Sequence, residues 1–72
     1  MGSSVVNRVR ELRAGHAGMT QQGLADAVGV SRQTVNAIES GRYSPSLEVA
    51  LKIARALGEP VERVFRLSSD AA

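Results

Sequence analysis

Thr20-Gln21-Gln22-Gly23-Leu24-Ala25-Asp26-Ala27-Val28-Gly29-Val30-Ser31-Arg32-Gln33-Thr34-Val35-Asn36-Ala37-Ile38-Glu39 is the stretch that decides the fold of this 72-residue chain. Thr20 stands where a hydroxyl can cap the free N–H groups at a helix start, and Leu24, Ala25 and Val28 give residues 21–28 an apolar stripe at helical spacing. Gly29 ends that helix at the position where a left-handed residue is easiest to place. Ser31 caps a second helix running to about residue 39, anchored by Val35 and Ile38. Two short helices joined by a tight Gly29-Val30-Ser31 turn, with small Ala25 at the crossing and Val30 beneath the turn, predict helix-turn-helix geometry.

Outward from this pair, Val5, Val9 and Leu12 recur at helical spacing and predict an amphipathic helix over residues 5–14, ended by Gly15 and Gly18. On the other side, Gly41 to Pro45 reads as a loop. Ser46 restarts a helix whose buried face is expected from Leu47, Ala50, Leu51, Ala54 and Leu57, with Glu48 in its favourable first turn. After Gly58, Pro60 opens a short fifth helix with Val61, Val64 and Phe65 turned inward. Five helices with short connections and no period-two alternation give an all-α fold, one domain over residues 5–67. Met1 to Ser4 read as a disordered start or cloning remnant, and residues 68–72 as a frayed tail.

Composition narrows the function. A chain this short is expected to hold one small domain and no separate sensing or catalytic module. It has no cysteine and a single histidine, His16, which reads as an exposed loop residue, so disulfides, a metal cluster and a histidine relay are excluded. No paired acid and base, activated nucleophile or phosphate-cradling glycine loop is present, and the expectation is a non-enzyme without a cofactor. No apolar run approaches membrane-spanning length and the start lacks a signal-peptide core, so a cytoplasmic protein is expected.

Nine Lys plus Arg against seven Asp plus Glu leave a net charge of only +2. Its placement is more informative than its size. Residues 1–44 carry five arginines and three acids, whereas residues 45–72 carry four cations and four acids, so the whole surplus lies in the first part. The outward positions of the second helix of the pair are Arg32, Gln33, Asn36 and Ala37, where a merely solvated face more often carries Glu and Lys. Arg can donate two hydrogen bonds to guanine O6 and N7, and Gln or Asn can pair with adenine N6 and N7. That face therefore offers a base-reading set.

With these residues in view, the chain resembles the lambdoid repressor and Cro-like regulators of the xenobiotic-response-element type, over roughly residues 7–67. Leu12-Arg13, Thr20-Gln21, Leu24-Ala25, the run Gly29 to Val35, Ile38-Glu39, Gly41-Arg42-Tyr43, Pro45-Ser46-Leu47, Lys52-Ile53-Ala54 and Leu57-Gly58 carry the resemblance. It implies a five-helix lambda-repressor-like domain. It also implies that Arg32, Gln33 and Asn36 read bases and that Gln21 contacts a phosphate and braces the reading helix. Ser31 and Thr34 lie where hydroxyls reach backbone or base, and Ser40, Arg42 and Tyr43 fall in a phosphate-clamping loop, with Tyr43 also able to cover the core. Arg13 and Glu39 match a buried ion pair. Two departures stand out: Ala14 to Gly18 is one residue longer than the common pattern, and Gly23 sits inside a helix, costing about 1 kcal/mol of local stability.

The expected function is sequence-specific binding of double-stranded DNA by a transcriptional regulator, most simply a repressor. One short helix reads few base pairs, so a homodimer on a palindromic operator is expected, with Val61, Val64, Phe65 and Leu67 as the candidate dimer surface. Two other readings stay open: an antitoxin that binds a protein toxin and its own operator, and a DNA-independent helical adaptor. No small-molecule ligand and no membrane partner are expected.

Overall fold

The computed structural model describes residues 5–70. They form, in order, β1 (Val5–Asn7), α1 (Val9–Ala14), α2 (Gln21–Val28), α3 (Arg32–Glu39), α4 (Leu47–Leu57), α5 (Val61–Val64) and β2 (Phe65–Leu67). The tail expected at 68–72 is in part a 3-10 turn at Ser68–Asp70; the start expected to be disordered at 1–4, and residues 71 and 72, lie outside the described residues.

Three hydroxyls set the starts of the three longest helices. Thr20 Oγ1 accepts from the Gly23 N–H at 2.9 Å, Ser31 Oγ from Thr34 at 3.0 Å and Ser46 Oγ from Val49 at 3.2 Å. Each bond satisfies one of the N–H groups that a helix start leaves without a partner. Gly23 is the third residue of α2 and supplies the N–H that Thr20 caps, so its position belongs to the cap rather than to the helix middle. At the other end of α2, Gly29 adopts φ 85°, and the next residue, Val30, packs partly buried against the core.

All five helices feed one core. Val9, Leu24, Val35, Ile38, Ile53 and Val64 are each less than 2% exposed, and burial of such a side chain is worth about 1.5–3 kcal/mol. Ala25 on α2 is fully covered. The two helices of the motif are thereby held by the scaffold of α1, α4 and α5.

The fold is mostly helical with five helices, as expected, but three details differ. Helix α1 begins at Val9 rather than residue 5, because Val5–Asn7 pair antiparallel with β2 in the register Val5 to Leu67 and Asn7 to Phe65. Asn7 makes the break: its Oδ1 accepts from the Val9 N–H at 3.1 Å and its Nδ2 donates to the Ile38 carbonyl at 2.9 Å. The fifth helix stops at Val64, since Phe65 is already extended at φ −125° and ψ 136° to enter the ribbon. On α4 the buried face is Ala50, Ile53, Ala54 and Leu57, whereas Leu47 is 73% and Leu51 49% exposed. Residues 50, 53, 54 and 57 follow i, i+3, i+4, i+7 and face the core; Leu47 and Leu51 share the neighbouring row, which faces outward.

Candidate nucleic-acid interface

Helix α3 carries one acid, Glu39, and the fold removes it from the outward face. The Glu39 side chain is fully covered, and Arg13 forks onto it with Nε 2.8 Å from Oε2 and Nη2 3.2 Å from Oε1. Gln21 Nε2 donates to Oε1 at 3.0 Å, and Arg10 Nε stands 3.5 Å from the same oxygen. Burial alone would push this carboxyl up, but the hydrogen bonds from Arg13 and Gln21 and the Arg13 charge outweigh it and hold it below the ordinary carboxylate range. Glu39 thus stays ionised and neutralised, and α1, α2 and α3 are tied together at one point.

What remains outward on α3 is uncharged or cationic. Arg32 and Gln33 are exposed and Thr34, Asn36 and Ala37 half-buried along the same eight-residue helix. Ser31 and Thr34 hydroxyls lie 2.9 Å apart, so one O–H is spent on the other and the second hydroxyl hydrogen is left for an outside acceptor. The hydroxyls expected at the helix start are therefore first of all its cap. Gln21 sits at the start of α2 and gives one of its two amide N–H donors to Glu39, which makes it a brace of α3.

The loop after α3 folds back on it. Arg42 Nη2 donates to Asn36 Oδ1 at 3.0 Å and Arg42 Nε to Ser40 Oγ at 3.0 Å, while Ser40 Oγ donates to the Ala37 carbonyl at 3.2 Å. This contact between the two expected groups, base readers and loop cations, had no signal in the sequence. An arginine six residues beyond an asparagine can reach it only because the helix ends between them. Tyr43 is 52% exposed, and it lines a crevice with Asn7, Ile38 and Phe65. The surface thus combines exposed Arg32 and Gln33 with the linked group Asn36, Ser40 and Arg42.

Of the expected dimer surface, Val64 is 0% exposed and fills the core of its own chain, so it offers nothing to a second copy. Val61 and Phe65 are half-buried against that core, and Leu67 is 54% exposed on the ribbon. The outward leucines of α4, Leu47 and Leu51, were expected inside and add to the apolar surface that is open. Among the described residues no group of three or more metal-ligating side chains occurs, and no helix is long and apolar enough to cross a membrane.

A capped helix pair on a small helical scaffold, with a donor-rich second helix cleared of negative charge, defines the class of helix-turn-helix DNA-binding domains. A family model described as helix-turn-helix matches residues 9–64. The chain belongs to the Cro/CI-like, xenobiotic-response-element type of helix-turn-helix transcriptional regulators. It is 55% identical over 65 residues to an uncharacterized HTH-type transcriptional regulator of Methanothermobacter thermautotrophicus, covering 89% of this chain and 93% of the relative. It is 52% identical over 64 residues to the uncharacterized HTH-type transcriptional regulator YgzD of Bacillus subtilis, covering 89% and 96%. The restriction-modification controller protein C.AhdI of Aeromonas hydrophila has a similar solved structure, at TM-score 0.72 and 38% identity, covering 78% of this chain and 83% of that one. The protein is a DNA-binding transcriptional regulator and not an enzyme.

Proposed function

We propose that this regulator binds a palindromic operator as a symmetric homodimer and represses by occupying a promoter. The observation that carries the base-reading part is the α3 surface: Arg32, Gln33 and Asn36 face outward while the helix's acid is buried and neutralised by Arg13. In this reading Arg32 and Gln33 reach base edges in the major groove, with Asn36 and the Ala37 methyl group beside them. Gln21, Ser31, Thr34, Ser40, Arg42 and Tyr43 face the flanking phosphates and set the register. Phosphate contacts give affinity without sequence information, so Arg32 and Gln33 supply discrimination and Arg42 much of the general attraction.

Two copies are needed because α3 is eight residues long, about 12 Å, and spans only a few base pairs. The exposed leucines at 47, 51 and 67 support pairing by leaving apolar surface for a second copy to cover. Half-site centres then lie about 34 Å apart, one turn of DNA. The antitoxin reading gains no support from the relatives, which are named as transcriptional regulators.

Selection of bound duplexes from a random pool tests the proposal. The expected result is an enriched inverted repeat with one-turn spacing, bound with an affinity that falls steeply as salt rises. Enrichment of a single asymmetric half-site would exclude the homodimer, and enrichment of nothing would exclude sequence-specific reading.

A further inference from the structure

We infer that Arg42 is a positioning residue that fixes which way the Asn36 amide faces, and so sets the base preference at the position Asn36 reads. The inference rests on the reading of α3 as the base-reading helix. A guanidinium carries only donors, so the Asn36 atom 3.0 Å from Arg42 Nη2 is its oxygen. The guanidinium is itself anchored, because Nε donates to Ser40 Oγ and the Arg42 backbone N–H donates to the Ala37 carbonyl at 3.0 Å. Both anchors belong to the last turn of α3 and the residue after it, where the partial negative charge of the helix end favours a cation.

An unrestrained asparagine can turn both amide atoms toward one base, its oxygen accepting from adenine N6–H while its nitrogen donates to N7, which is why asparagine pairs well with adenine. In this chain Oδ1 is drawn to Arg42 and Nδ2 points the other way, since oxygen and nitrogen lie on opposite sides of the same carbon. Asn36 then meets the groove chiefly as a donor. Guanine presents two adjacent acceptors, N7 and O6; thymine presents O4; cytosine presents the N4 donor, which an amide N–H opposes. Guanine is favoured, cytosine on the same strand is rejected, and adenine, with one acceptor beside one donor, falls between. Asparagine considered without its neighbour would instead favour adenine.

The test uses the whole chain and a set of duplexes in which the selected site is changed one base pair at a time. Asn36→Ala identifies the position concerned as the one whose preference disappears, and the wild type should prefer guanine to cytosine there by about tenfold or more. Arg42→Met keeps the length of the stem and removes every donor. It should weaken all duplexes and, at that position alone, erase the discrimination against cytosine and raise adenine to at least the level of guanine. Retained preferences at the positions sensitive to Arg32→Ala and Gln33→Ala show that the variant is folded. Uniform weakening by Arg42→Met with the guanine preference unchanged would overturn the inference and leave base reading by α3 intact. A wild-type preference for adenine there, or an Asn36→Ala variant with unaltered preferences, would also overturn it. Absence of any base preference in the wild type would defeat the underlying reading instead.

Discussion

Arg13 and Glu39, 26 residues apart in the chain, meet through two hydrogen bonds of 2.8 and 3.2 Å, and the carboxylate has no exposed surface. A third Arg13 bond, from Nη1 to the Met19 carbonyl at 2.9 Å, brings the connection between α1 and α2 into the same network. The pair therefore fixes α1, the loop after it and the end of α3 relative to one another. Removal of one partner is expected to harm more than removal of both. Arg13→Met should cost about 3 kcal/mol of stability by leaving a covered negative charge, offset in part by Gln21 and Arg10, whereas Arg13→Met with Glu39→Met should recover much of the loss. Urea denaturation of the single and double variants measures the difference, and equal losses in both would contradict it.

The same carboxylate makes stability depend on pH. Its folded pKa lies below the unfolded value of about 4.3, so between the two the unfolded chain binds more protons than the folded one. The stabilisation is fully present above the unfolded value and is lost as pH falls through the lower folded one. Thermal melting across the acid range should show this loss, and Glu39→Gln should flatten it while lowering stability at neutral pH. A wild type and a Glu39→Gln variant with parallel acid profiles would assign the acid sensitivity elsewhere.

Two caps of the same chemistry separate stability from recognition. Ser31→Ala and Ser46→Ala each remove one bond to a helix N–H and should each cost about 1 kcal/mol. Ser46 starts α4 and Ser31 starts α3, beside Arg32. DNA affinity, compared after matching the folded fraction, should fall for Ser31→Ala and hold for Ser46→Ala. Equal affinity losses would mean that Ser31 acts on DNA only through folding.

Gln33 is exposed on the outward face of α3. Gln33→Ala is expected to cost about 1–3 kcal/mol on the selected site and to relax preference at one base pair per half-site, leaving affinity for random duplex nearly unchanged. Equal losses on selected and random DNA would place Gln33 on the phosphate backbone.

Local signals in the sequence were sufficient for most of the architecture. Thr20, Ser31 and Ser46 each begin a helix and Gly29 and Gly58 each end one in the left-handed conformation, because caps depend on atoms only a few residues away. The outward face of α3 was legible for a similar reason, since Val35 and Ile38 point inward and leave the intervening positions outside. The strand at Val5–Asn7 was not legible: Val5, Val9 and Leu12 fit a helix equally well, and the strand exists only because residues 65–67, some sixty positions away, are there to pair with it. Leu47 and Leu51 misled for a related reason. Their apolarity marks a row on α4, but the direction of the core is set by α2 and α5 packing against Ala50, Ile53, Ala54 and Leu57.

The site divides along the same line. By itself the sequence determined the class of surface, a helix bearing Arg32, Gln33 and Asn36, because residue type and helical period suffice to place donors on one face. Only the tertiary structure decided what those donors can do. It buried Glu39 under Arg13 and Gln21, gave one Gln21 amide N–H to that carboxylate, and laid Arg42 across Asn36. The Glu39 bonds join residues on separate helices and depend on angles and distances that no local pattern of residues encodes, and the Arg42 bond depends on the path the chain takes after α3 ends.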